Sequence, residues 1–295
     1  MIWVRALRLP FLTASVVPFC VGALWPTSAL LGWPFLLGLV AVAATHLSAN
    51  LVNDYADSRS GADWHDLTYH QGLFGGSKLI QEGRLSEHWY LRAAVLCGLV
   101  AAGAGTALAW ALGSAVPLLG MAAVLALAWA YSKRPLQLAY RGLGEPVIFL
   151  LFGPAVVMGG QYTQTGVLFT LAGFWLSLPF AFLTTAILVA NEIADADADR
   201  QAQKRTWVQR LGRAGAGRLH GVLVLAAGLA LSWCLSVGVV GPAGAIALVG
   251  LLPAAVATAL LTTGTPGPRR WLLASKLTIA GQALTSLLLL LTVSL

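Results

Sequence analysis

Two short stretches carry most of the acidic residues, in a spacing that could do chemistry. The first reads N-D-Y-A-D-S-R-S-G-A-D over residues 53–63, and the second N-E-I-A-D-A-D-A-D over residues 191–199. Asn53 and Asp57 are spaced i, i+4, and Asn191, Asp195 and Asp199 are spaced i, i+4, i+8. On a helix such spacings put side chains along one face. Carboxylates held this close repel one another and call for cations, and oxygen-rich clusters suit Mg²⁺. A solvated acidic loop is the plain alternative for either stretch alone. Two stretches that both open on Asn and both follow a long apolar run argue for a shared site. Because Mg²⁺ is held by a few carboxylates together with substrate phosphates, the expected ligand is a diphosphate bridging two metal-bearing segments. Lys78, after the Gly75–Gly76 pair, and Lys204–Arg205, after the second stretch, stand ready for the remaining phosphate charge; glycines let backbone N–H groups approach an anion.

The elements that carry these residues are set by the composition. Of 295 residues, 58% are hydrophobic and 10% charged, whereas a soluble domain has about 25% charged residues. A soluble globular domain, a disordered chain and a nucleic-acid binder are all poor readings of this balance. The long apolar runs indicate an all-α, multi-pass transmembrane bundle rather than a barrel. Nine spans are expected, at approximately 10–28, 33–53, 89–112, 115–132, 144–161, 167–191, 217–238, 241–262 and 272–293. The first run is read as a retained span, since further apolar runs follow it. Cys20, Cys97 and Cys234 lie far apart in apolar stretches and read as small buried hydrophobes.

The breaks between spans alternate in character. All 18 basic residues fall in one set, which the positive-inside rule makes cytoplasmic. That puts the N-terminus inside and the C-terminus outside, with the cell membrane as the expected location. The 11 acidic residues fall on the same side, where they contribute little to orientation, so function is the natural reason for their placement. The large polar segments, approximately 54–88 and 192–216, are expected to be cap loops over one transmembrane domain spanning 1–295.

With these motifs in order, the chain resembles the UbiA superfamily of intramembrane prenyltransferases. The resemblance runs through N-D-Y-A-D at 53–57, G-G-S-K-L-I-Q-E-G at 75–83, Y-S-K-R-P-L at 131–136, R-G-L-G-E at 141–145, N-E-I-A-D-A-D-A-D-R at 191–200 and K-R-T-W-V-Q-R-L-G at 204–212. Within the superfamily it is most similar to the branch that prenylates 1,4-dihydroxy-2-naphthoate. Gly61 stands where many members resemble N-x-x-x-D-x-x-x-D, and the acid arrives two residues later as Asp63; this form, and L-F-G-P-A-V-V-M-G-G-Q-Y-T-Q at 151–164, resemble that branch.

The resemblance implies helices around a central cavity, Mg²⁺ as cofactor, and polyprenyl diphosphate and an aromatic acceptor as partners within membrane lipid. It implies transfer of the polyprenyl group with loss of CO₂, giving demethylmenaquinone in menaquinone biosynthesis. Asn53, Asp57, Asn191, Asp195 and Asp199 are the expected diphosphate–Mg²⁺ residues, with Asp54 and Asp63 as further metal ligands. Lys78 and Lys204 would meet the diphosphate. Tyr131 could face an allylic cation, and Ser132 could donate a hydrogen bond. Arg141 is expected to hold phosphate or the acceptor's carboxylate, or else to anchor its loop, and Glu145 to be structural. Asp197, on the opposite helical face, should meet solvent. His46, seven residues before Asn53, shares its face about two turns deeper, lining the acceptor pocket or bonding between helices. The alternatives are another acceptor (hydroxybenzoate, homogentisate, haem or a glycerol-phosphate lipid), prenyl cyclisation, or a transporter with two broken helices; carboxylates at the membrane face rather than the midplane weigh against transport.

Overall fold

The computed structural model describes residues 2–25, 30, 32–64, 76–264 and 267–293. These are almost entirely helical. The α-helices are α1 (Ile2–Ala6), α2 (Thr13–Leu24), α3 (Gly32–Ser60), α4 (Glu87–Ala111), α5 (Val116–Ser132), α6 (Gly144–Leu150), α7 (Val156–Thr165), α8 (Leu171–Gln201), α9 (Trp207–Ser236), α10 (Leu252–Thr262) and α11 (Pro268–Thr292). A π-turn at Leu151–Ala155, carrying Pro154, joins α6 to α7, and a 3₁₀ segment at Pro242–Leu251 leads into α10. Proline removes a backbone donor, and such a wider turn accommodates the loss.

Seven of these continuous segments are long and apolar enough to cross a membrane, and two shorter apolar helices, Leu9–Leu24 and Val116–Ser132, stand at the other expected spans. Among the described residues the nine spans read from the apolar runs are therefore all present as helix. Helix α8 lies at the middle of the packing, against α2, α6, α7, α9 and α11. Helix α3 packs on α2, α4, α5 and α7. Close approach is achieved with small residues: a Cβ on Gly22 of α2 would sit 2.0 Å from the Val157 carbonyl oxygen, and one on Gly160 of α7 would sit 2.3 Å from that of Phe19. Small residues of this kind are what lets helices pack tightly in a bilayer.

The expected loops at 54–88 and 192–216 are corrected by the structure. Helix α3 runs 29 residues and α8 runs 31, about 45 Å each at the α-helical rise, against a hydrocarbon layer of about 30 Å. Their last turns carry Asn53–Asp57 and Asn191–Asp199 beyond the apolar stretch as helix. Ahead of the spanning part of α9 a short helical stretch begins at Trp207, with Thr206 accepting from the Gln209 N–H at 3.3 Å as its N-cap, and a kink at Gly212 (φ 66°) separates it from the rest. Hydropathy marks where a helix leaves the apolar layer, whereas the backbone keeps its hydrogen bonds until a residue breaks them. In α3 that residue is Gly61, at φ 88°, a left-handed conformation glycine adopts without steric cost. His65, His70 and Gly75 lie outside the described residues.

Candidate active site

The extensions of α3 and α8 face each other across a cavity of about 230 Å³. Asn53, Asp57 and Asp63 line it from one side and Asn191, Asp195 and Asp199 from the other, with Lys78 and Lys204 between them. A second cavity, of about 260 Å³, continues towards the opposite membrane face between Phe19, Gly38, Met121, Gly159 and Tyr162. The two share His46, Ala49, Ala128, Leu151 and Phe152 as common walls. One continuous site thus runs from an oxygen-rich mouth into an apolar channel.

Asp57 is the most engaged carboxylate. Its Oδ1 accepts from the Tyr140 hydroxyl at 2.7 Å, and its Oδ2 accepts from Asn53 Nδ2 at 3.1 Å and Lys204 Nζ at 3.4 Å. Lys204 Nζ also lies 3.2 Å from Asp199 Oδ1 and 5.0 Å from the centre of the Tyr140 ring. Burial alone would lower the Lys204 pKa, but Asp199 and Asp57 outweigh it and raise the pKa well above its ordinary value. Asn53 Nδ2 donates to Ser132 Oγ at 3.0 Å as well, so the buried Ser132 fixes a motif residue, and Tyr131 lines the cavity beside it.

Gly61 explains the irregular first motif. The helix ends there, and a 3₁₀ turn at Ala62–Trp64 carries Asp63 back to the cavity. Lys78 Nζ donates to Asp63 Oδ1 at 2.9 Å. Burial, with Asp57 close by, pushes the Asp63 carboxyl up to about 7 against the opposing pull of Lys78. Gly76 (φ 89°) passes so near that a Cβ there would meet Asp63 Oδ2 at 2.9 Å.

Asp54 requires a correction. One residue after Asn53 it is turned about 100° around α3, and it does not line the cavity. Its Oδ1 pairs with Arg8 Nη2, and its Oδ2 accepts from the Ser77 N–H at 3.1 Å. Ser77 Oγ is in turn hydrogen-bonded to the Tyr90 hydroxyl at 2.5 Å. Asp54 therefore anchors the Gly76–Lys78 segment that delivers Lys78. Of the two alternatives for Arg141, the structure shows the contact within its loop: it is exposed, lies outside the cavity lining, and donates from Nη2 to the Pro135 carbonyl at 2.8 Å. Its neighbours secure the cap. The Arg205 N–H donates to the Tyr140 carbonyl at 3.0 Å, and Glu145 Oε1 accepts from the Trp207 N–H at 2.5 Å. Glu145 is thus structural, and Asp197 is exposed and paired with Arg213 at 2.9 Å. His46 sits where the two cavities meet, 2.7 Å from Ser15 Oγ through Nδ1 and edge-on to Phe152 at 5.2 Å.

Several residues of the site carried no signal that the spacing argument used. Arg8 lines the cavity through a contact 46 residues distant in sequence, and Tyr140 reaches Asp57 from a short 3₁₀ turn. Asn50, Thr184 and Glu192 also line the polar cavity. Glu192 had a usable signal, since a buried carboxylate on a spanning helix is costly and generally functional.

The donor set suits a hard divalent cation. Among the described residues no three carboxylate, imidazole or thiol groups converge closely enough to hold an ion by themselves. The facing oxygens fit Mg²⁺ instead, which takes few protein ligands and completes its shell with water and substrate phosphate. The buried Asn191 Oδ1, an oxygen on the lining of this cavity, has no hydrogen-bond partner in the structure, as a metal-facing ligand would.

The architecture and sequence both have known counterparts. A UbiA homologue from Aeropyrum pernix K1 matches over 92% of this chain and 96% of its own, with TM-score 0.70 at 17% identity. A UbiA homologue from Archaeoglobus fulgidus, solved with GPP and Mg²⁺, matches over the whole of both chains with TM-score 0.64 at 15% identity. In sequence, the 1,4-dihydroxy-2-naphthoate octaprenyltransferase of Mycobacterium leprae is 33% identical over 248 residues, covering 81% of each chain. The model of the UbiA prenyltransferase family matches residues 15–290. Acidic motifs on two facing helix extensions, a polar mouth and an apolar channel thus occur in a chain that belongs to the UbiA prenyltransferase family.

Proposed function

We propose that the protein transfers a polyprenyl group from polyprenyl diphosphate to 1,4-dihydroxy-2-naphthoate, with loss of CO₂, on the route to menaquinone. The observation that carries this reading is the continuity of the oxygen-rich mouth with the apolar channel. A polyprenyl diphosphate has the same division, a highly charged head on an apolar tail. The choice of acceptor is supported by the name of the Mycobacterium leprae relative.

In this reading Asn53, Asp57, Asn191, Asp195 and Asp199 hold Mg²⁺, with Asp63 beside them. When bound, the metal offsets charge developing on the leaving diphosphate. Lys78 and Lys204 take up phosphate charge as the C1–O bond breaks and its electron pair leaves with the diphosphate. Tyr131 presents its ring to the allylic carbon. The apolar walls at Phe152 and Leu151 exclude water that would otherwise trap the cation. The ring carbon that bears the acceptor's carboxylate then bonds to C1, and as that group leaves as CO₂ the electrons of its C–C bond stay behind and restore the ring. The product leaves at the quinol level and becomes demethylmenaquinone on oxidation. The chain acts as one transmembrane unit in the cell membrane, its N-terminus and active site cytoplasmic and its C-terminus outside, a reading supported by the one-sided basic residues.

The test is purified protein in liposomes with Mg²⁺, a radiolabelled polyprenyl diphosphate and a panel of acceptors. Labelled lipid product and CO₂ are expected with 1,4-dihydroxy-2-naphthoate. Product with 4-hydroxybenzoate, homogentisate or a glycerol-phosphate lipid in its place would overturn the acceptor.

A further inference from the structure

The carboxylates and lysines at the mouth account for only part of the polar cavity. Asn50 Nδ2, Thr184 Oγ1 and Glu192 Oε2 are buried without a hydrogen-bond partner in the structure, and all three residues line this cavity. Thr184 and Glu192 are only 6% and 8% exposed. Polar atoms so placed are normally satisfied, and leaving one unpaired is costly, most of all for a carboxylate. Thr184 and Glu192 fall on one stripe of α8 at i and i+8, beside the stripe of Asn191, Asp195 and Asp199. On α3, Asn50 lies about one turn deeper than Asn53. The unpaired atoms therefore extend from the level of the motif asparagines into the cavity, above its apolar continuation.

Their chemistry selects what can satisfy them. A polyprenyl tail offers neither donor nor acceptor. A diphosphate offers only acceptors and would leave Glu192 Oε2 without a donor. A metal ion would suit Glu192 but not the amide N–H of Asn50. What suits an acceptor, a donor and a hydroxyl around one space is the flat edge of a ring bearing O–H groups. We propose that Asn50, Thr184 and Glu192 form the subsite for the hydroxylated aromatic acceptor, with Glu192 Oε2 accepting a hydrogen bond from one ring hydroxyl. This rests on the prenyl-transfer reading above and assigns the residues that choose the acceptor. It puts the ring directly below the diphosphate residues and at the head of the apolar channel, where a ring carbon can reach C1.

The test compares 1,4-dihydroxy-2-naphthoate with 1-hydroxy-2-naphthoate, which lacks one ring hydroxyl, in the wild type and in Glu192→Leu, Glu192→Gln and Thr184→Val. The wild type is expected to favour the diol in kcat/KM by on the order of tenfold or more. Glu192→Leu should erase that preference by raising the diol KM, while the KM for polyprenyl diphosphate and the Mg²⁺ requirement stay within about twofold. Glu192→Gln, which keeps an acceptor oxygen, should restore part of the preference. Thr184→Val removes a hydroxyl at nearly constant volume and should raise the acceptor KM even where the Glu192 variants fold poorly. Retained preference in Glu192→Leu, or in its absence an unchanged acceptor KM in Thr184→Val, overturns the proposal. So does an effect confined to Mg²⁺ or polyprenyl diphosphate. Failure of the prenyl-transfer reading is distinct, because the wild type itself would then prenylate neither naphthol, and the subsite would fall with it.

Discussion

Lys204 is the residue on which the two acidic motifs converge. Its ammonium lies 3.4 Å from Asp57 Oδ2 and 3.2 Å from Asp199 Oδ1, with its side chain 14% exposed. Removing one partner from such a buried group leaves the others uncompensated, at a cost of about 3 kcal/mol. Lys204→Met is therefore expected to lower the thermal midpoint in metal-free buffer, read by thermal shift in detergent. An unchanged midpoint would show that the carboxylates do not depend on this ammonium. At this scale the sequence was informative where residues that line one cavity follow a period along one helix, as for Asn53 with Asp57 and Asn191 with Asp195 and Asp199. It was silent where a partner comes from far along the chain. Asp54 looked like a ligand because it stands in the motif, and only the hydrogen bond from the Ser77 N–H shows that it serves the Gly76–Lys78 segment. For Arg141 the sequence left anion binding and loop anchoring both open, and only the structure shows its guanidinium on the Pro135 carbonyl.

The helices were legible as apolar runs, but their ends were not. Periodicity in α3 and α8 fades where polar residues begin, yet both helices continue and hold the motifs rigidly, which suits a site that must fix two sets of ligands across a gap. The packing between elements was equally hidden, because a glycine in a spanning run does not reveal which neighbour it admits. The α2–α7 contact makes this testable. Gly22→Val would place its Cβ against the Val157 carbonyl, whereas a Cβ on Gly103 in α4 meets nothing within 4 Å. Gly22→Val is expected to destabilise the bundle by about 2 kcal/mol or more through overpacking, and Gly103→Ala to leave it as stable or slightly more so. Equal thermal midpoints for the two variants would contradict the close α2–α7 approach.

The whole molecule separates charge from apolar volume. Charged side chains line the polar cavity, and the channel below carries no Asp, Glu, Lys or Arg among its lining. Along α3, the 15 steps from Asn53 to Gly38 correspond to about 22 Å of depth. That overall arrangement followed from charge placement along the sequence, while the walls of the channel did not, since a tail-binding Phe or Gly looks like any other apolar residue. Gly159 lines the channel, and a Cβ there would meet nothing within 4 Å. Gly159→Phe is expected to fill that space and reduce kcat/KM for long polyprenyl diphosphates by about tenfold or more, on the scale of a blocked apolar pocket, with a smaller effect on a geranyl donor. Equal losses for long and short donors would place the tail elsewhere.

The most direct test of the two-motif site is diphosphate release from polyprenyl diphosphate in the presence of acceptor, measured for the wild type, Asp57→Ala and Asp195→Ala, with Mg²⁺ and after its chelation. Release by the wild type only with Mg²⁺, and its loss by about 100-fold or more in each variant, is the predicted result. Unchanged release in both variants, or release by the wild type that survives chelation, would contradict it.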